Sequence, residues 1–124
     1  QDAATKAYVD TNVASAGSPT FSVSAPDSAR YQFSGDGFPT AQDNPTLYLY
    51  KGHTYNFNLT VSGHPFHIQT SSGAYNAGNL YTDGVTNAGA QTGTMTFTVP
   101  MNAPATLYYV CQYHSAMAGT ITIV

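Results

Sequence analysis

Residues 54–61 read TYNFNLTV, with Tyr55, Phe57, Leu59 and Val61 on one parity and Asn56, Asn58 and Thr60 on the other. Side chains alternate across a strand, so this stretch predicts a half-buried strand with an aromatic inner face. Past the turn at Ser62, Gly63 and His64, the chain resumes as FHIQT (66–70), with Phe66 and Ile68 inward. Farther downstream TMTFTV (94–99) repeats the rule, with Met95, Phe97 and Val99 set against three threonines, and LYYVCQ (107–112) and TITIV (120–124) close the chain. Upstream lie TFSVS (20–24), RYQFS (30–34) and TLYLY (46–50), separated by Pro, Asp and Gly. Seven or eight short strands at turn-marked spacing predict an all-β domain, an antiparallel Greek-key β-sandwich over residues 20–124.

Two segments break this pattern. Residues 71–93, SSGAYNAGNLYTDGVTNAGAQTG, form a long insertion rich in Gly and Asn, expected to be a surface loop pinned by Tyr75, Leu80 and Tyr81. Residues 1–19 predict a short N-terminal helix and linker: Asp2 is a candidate N-cap, alanines fill the interior, and Gly17 and Pro19 mark the stop. Tyr8, Val9, Val13 and Ala16 would give that helix a narrow apolar stripe, and a helix of about 14 residues is marginal alone in water, so it needs a packing partner.

Composition narrows the function classes. Aromatic residues make up 13% of the chain, ten of them Tyr, which fits a folded globule. Only 7% of residues are charged, the acids are all Asp, and the bases are Lys6, Arg30 and Lys51. Three scattered cations cannot neutralise a run of phosphates, so nucleic acid is excluded as the expected partner. A surface of Ser, Thr, Asn, Gln and Gly is nearly indifferent to salt and suits work outside a cell. No run approaches the roughly 18 apolar residues that span a bilayer, and no membrane insertion is expected. The chain opens without a basic, apolar leader, as a mature protein or a fragment would.

The one cysteine cannot form an internal disulfide, which leaves it as core filler, nucleophile or metal ligand. It lies in CQYHSAMAG (111–119), a loop between the last two expected strands, with Cys111, His114 and Met117 at intervals of three. Thiolate, imidazole and weak thioether form the donor set that selects copper, whereas zinc has little use for a thioether. A blue-copper site needs a second imidazole, and SGHPFHIQT (62–70) offers His64 and His67. His64 sits in the turn at the end of the sandwich where the ligand loop must lie; His67 has the opposite parity to Phe66 and Ile68 and points away. His64 is the expected ligand, and His53, ahead of a strand at its far end, is expected to be a surface residue.

Residues 20–124 resemble the cupredoxin family, small β-sandwich proteins that hold one type 1 copper. The resemblance implies a copper ion held by His64, Cys111, His114 and Met117. The Cys-x-x-His-x-x-Met loop resembles that of amicyanin more than the longer loop of plastocyanin. The turn HPFH (64–67) is similar to the HP-x-H signature of multicopper oxidases, but the HCH motif of their trinuclear centre is absent, and no enzyme is expected. One departure concerns Pro65: many small cupredoxins have there a residue whose backbone N–H bonds the copper thiolate, and proline has none.

A second resemblance involves DAATKAYVD (2–10), similar to a stretch in tail-fibre and other virion proteins of tailed phages. GHPFHIQT (63–70), YTDGVTN (81–87) and TLYYVCQYHSAMAGTI (106–121) resemble cupredoxin-like domains of marine phages. These imply a copper-binding module of a virion, touching other virion proteins or a host surface receptor. The alternative is a free blue-copper electron carrier of the periplasm or extracellular space.

The N-terminal stripe and the fibre resemblance together predict a homotrimer through residues 3–16, with Tyr8, Val9 and Val13 near the seam. Light scattering should give three chains for the intact sequence and one for a chain beginning at Ser18. A monomer in both cases defeats the trimer; a trimer in both moves the interface to the sandwich.

Overall fold

In the computed structural model, which describes residues 18–124, the inward parity of TYNFNLTV becomes the centre of a two-sheet core. The strands are β1 (Thr20–Asp27), β2 (Arg30–Gly35), β3 (Phe38–Asp43), β4 (Leu47–Leu49), β5 (Thr54–Thr60), β6 (Phe66–Gln69), β7 (Val85–Thr86), β8 (Thr92–Thr98), β9 (Thr106–Cys111) and β10 (Ala118–Ile123). They form a six-stranded sheet in the order β3-β2-β1-β5-β8-β7 and a four-stranded sheet in the order β4-β10-β9-β6. The expected helix and trimer seam, with Tyr8, Val9 and Val13, lie outside the described residues.

The sandwich is mixed where the sequence predicts it to be antiparallel. β1 pairs parallel with β5, Phe21 opposite Phe57, and β4 pairs parallel with β10, Tyr48 opposite Thr122. The cause is topological: β4 belongs to the second sheet, so the chain leaves the first sheet after β3 and re-enters it at β5 in its original direction. Two strands go beyond those read from the sequence. β3, FPTAQD, buries only Phe38 and contains Pro39, and β7 has two residues, so neither carries an alternating signal.

Aromatic rings fill the space between the sheets. Phe21, Phe33, Phe57 and Tyr55 come from one side and Phe66 and Tyr109 from the other, all at most 2% exposed. Phe66 and Tyr109 stack at 5.5 Å and 11°, and Phe33 meets Tyr109 at 5.2 Å. Such pairs add about 0.5–1.5 kcal/mol each beyond the area they bury.

The 71–93 insertion is ordered from within. All four residues of β6 are buried, because the insertion lies over the face of the strand that a two-layer sandwich would leave to solvent. Tyr75 packs on His67, Tyr81 packs edge-on against Phe97, and Leu80 bridges to Gln69. Gln69 organises the segment: fully buried, it donates to the carbonyls of Ser71 (2.9 Å) and Ala74 (3.1 Å) and accepts from the Asn76 N–H (3.0 Å).

Gln69→Ala leaves those buried groups without partners and should cost roughly 1–3 kcal/mol. Urea denaturation measures the loss, and limited proteolysis should show new cleavage within residues 71–81. Destabilisation without that cleavage would contradict the organising role of Gln69.

Candidate metal centre

The pairing of β6 with β9 builds the site. Phe66 lies opposite Cys111 in this antiparallel register, so the residues just before β6 meet those just after β9. Cys111 ends β9 on the inward parity of Leu107 and Tyr109 and is fully buried. His64 precedes β6, its N–H bonded to the Val61 carbonyl (2.8 Å). The 111–117 loop is closed at its base by the Cys111 N–H donating to the Met117 carbonyl (2.9 Å), and the Met117 N–H donates to the His114 carbonyl (3.1 Å).

Three donor atoms converge there. His64 Nδ1 lies 3.7 Å and His114 Nδ1 3.5 Å from Cys111 Sγ, and the two ring nitrogens are 3.2 Å apart. A point equidistant from all three is about 2.0 Å from each, within the reach of metal–imidazole bonds and slightly short of a metal–thiolate bond. Among the described residues this is the one cluster of three His, Cys or acidic groups suited to an ion. Core filler does not explain two imidazole nitrogens aimed at one buried sulfur, and a nucleophile needs a more accessible one. The N₂S donor set, with Met117 fully buried at the foot of the same loop, fits a single type 1 copper ion.

The other histidines lie apart from the cluster. His67 turns to the outer face, as its parity predicts, but it is only 8% exposed, because Tyr75 covers it. Its Nε2 meets Gln112 Oε1 at 3.0 Å while its Nδ1 is buried without a partner. Gly89, at φ 79°, passes so close that a Cβ there would stand 2.8 Å from the His67 ring. His53, expected on the surface, is half-buried beside Tyr50, with ring centroids 5.6 Å apart.

The surroundings of the sulfur follow from Pro65. With no N–H of its own, it gives the sulfur no bond, and the Phe66 N–H is directed to the Ala90 carbonyl (3.3 Å). The Tyr113 N–H donates to Cys111 Sγ instead, at 3.4 Å. The Pro65 carbonyl accepts from the Gln112 N–H (3.1 Å), which ties the two ligand segments together. Tyr31, in the opposite sheet, donates its hydroxyl to the carbonyls of His64 (2.7 Å) and Pro65 (3.2 Å). Burial first, and the adjacent Cys111 second, push the Tyr31 phenol far above its ordinary range, so it remains a donor. Nothing in RYQFS distinguishes that hydroxyl from a core ring, and sequence reading missed it, as it missed Gln69 and Gln112.

No family model and no curated protein matches the chain. Solved structures do. Rusticyanin from Thiobacillus ferrooxidans is 25% identical, with a TM-score of 0.52 over 85% of this chain and 76% of that one. A structure of the copper protein rusticyanin by anomalous scattering is 21% identical over the same shares, TM-score 0.52. Reduced rusticyanin in solution is 22% identical over 97% of this chain and 91% of that one, TM-score 0.52. The two-sheet architecture, with its paired ligand segments at one end, is thus the cupredoxin fold, shared with rusticyanin.

Proposed function

We propose that this chain is a blue-copper electron carrier in which His64, Cys111 and His114 would hold one copper ion and Met117 would add a weak thioether donor. The convergence of His64 Nδ1, His114 Nδ1 and Cys111 Sγ carries the reading. The likeness to rusticyanin, a copper protein with a solved reduced form, supports it. Bound copper supplies a one-electron couple. The protein contributes a dry sulfur, fully buried, and a half-buried His114 whose ring joins the site to the surface. No substrate can reach a sulfur so enclosed, which favours electron transfer over catalysis on a bound molecule. Work in the periplasm or outside the cell fits a thiolate site that must not compete with the cytosolic thiol pool.

One observation favours a second reading, the copper-binding module of a phage tail fibre. Carriers steer to their partners with charged patches, and 7% charged residues leave little to steer with. The DAATKAYVD stretch behind that reading lies outside the described residues.

Cu(II) added to the copper-free protein should produce an intense band near ~600 nm, the Cu–thiolate transition of this donor set. Cys111→Ser should abolish it. A colourless protein that retains no copper on elemental analysis would sink the proposal.

His64→Ala should weaken copper binding by more than about 100-fold, beyond what removing a mere supporting group costs. His67→Ala should keep the band, because its ring faces Tyr75 and Gln112. Bleaching in the second variant and not the first would reverse the ligand assignment. Met117→Leu should keep the colour and raise the reduction potential by voltammetry; a lower potential would count against its role as a weak donor.

A further inference from the structure

We propose that Tyr31 and Asn44 form a clamp that holds the two ligand-bearing segments at a fixed separation and so positions His64 and the 111–117 loop. The inference rests on the copper reading for its purpose, but its geometry stands without the metal. Tyr31 and Asn44 are locked to each other by two hydrogen bonds. The Asn44 N–H donates to the Tyr31 carbonyl (2.8 Å), and the Tyr31 N–H donates to Asn44 Oδ1 (2.9 Å). Each then reaches a different ligand segment. The Tyr31 hydroxyl donates to the carbonyls of His64 and Pro65. Asn44 Nδ2 donates to the carbonyl of Ala116, between His114 and Met117, at 3.2 Å, and to Ala29 at 3.3 Å.

The clamp answers a specific deficit. Because Pro65 has no N–H, the His64 segment cannot fasten itself to the sulfur through its backbone, and it is held at its carbonyl side instead. Both members are rigid. Tyr31 is fully buried, with its ring 5.0 Å from Phe66 and 6.3 Å from Tyr109. Asn44 sits at φ 43°, in the left-handed region that Asn tolerates better than most residues. The preceding Asp43 is pinned by Arg30 Nη1 (2.9 Å) and Gln32 Nε2 (3.1 Å). These are positioning residues, since none of their atoms is a metal donor.

The test uses Tyr31→Phe, which removes only the hydroxyl, and Asn44→Gly, which removes the amide and keeps access to positive φ. In the copper-free proteins, hydrogen exchange at the amides of His64, Gln112 and Met117 should accelerate about fivefold, the equivalent of one lost neutral hydrogen bond. Amides in β5 and β8 should keep wild-type rates. With Cu(II) alone as probe, both variants should release copper faster by a similar factor and show an altered electron paramagnetic resonance spectrum. Unchanged exchange at the ligand segments overturns the clamp, and so does a uniform rise across the sandwich, which would mark plain loss of stability. If Tyr31→Phe does not fold, Asn44→Gly decides by the same measurements. A wild-type protein that binds no copper defeats the proposed function alone, because the exchange comparison still tests the clamp.

Discussion

The register of β6 against β9 is the constraint on which the site depends. With Phe66 opposite Cys111, one strand begins where its neighbour ends, and both ligand segments emerge at one edge of the sandwich. Strand side chains have a period of two, so a slip of one residue would turn Cys111 out of the core and bring Val110 in. That slip is opposed on both faces. Inside, Phe66, Ile68, Tyr109 and Cys111 fill the core; outside, His67 lies under Tyr75 of the insertion and its strand partner Val110 is fully buried as well. A strand buried on both sides has no spare face to exchange, and the sulfur inherits that fixity.

Tyrosine hydroxyls serve here where other proteins use charge. The ion pairs of Arg30 with Asp27 and Asp43 are exposed and contribute little on the scale of surface pairs. By contrast, Tyr31, Tyr55 and Tyr109 are fully buried, and each sends its hydroxyl to backbone. Tyr31 reaches His64, Tyr109 donates to the Pro45 carbonyl at 2.6 Å, and the Tyr50 N–H donates to the Tyr55 oxygen at 2.8 Å. A phenol buries a large apolar ring and still satisfies one polar group at its tip, which suits a core that must also hold loop backbone in place. Burial holds the Tyr109 phenol above its ordinary range, so this bond too survives moderately alkaline conditions.

Strand parity was the legible part of the molecule. TYNFNLTV, TMTFTV and LYYVC bury the residues that alternation assigns to the inside, and the same parity separates His64 from His67. The spacing of Cys111 and His114 was equally readable, because a short loop leaves its side chains few places to go. What alternation does not encode is which strands are neighbours. The parallel pairs β1–β5 and β4–β10 depend on the order of sheet changes, a property of the whole chain. Gln69, Asn44 and the Tyr31 hydroxyl escaped for a related reason. The partners of Asn44 and of the Tyr31 hydroxyl lie in segments that only the fold brings near, and Gln69, though it bonds nearby residues of the insertion, does so through backbone groups whose placement no side-chain pattern announces.

Scarcity of charge bears on how such a carrier would meet another protein. Long-range attraction needs a patch of one sign, and the described surface is mostly hydroxyl and amide. The surface beside the site is different: Tyr113, next to His114 in the ligand loop, is 64% exposed, an amphipathic ring that can give up water and still keep a hydrogen bond. Its own N–H holds the sulfur at 3.4 Å, so this exposed ring belongs to a residue whose backbone position the site depends on. Contact at Tyr113 therefore bears directly on the hydrogen bond to Cys111 Sγ. For the carrier proposed above, encounter at this end would rest on short-range packing against that ring, with little charge for salt to screen.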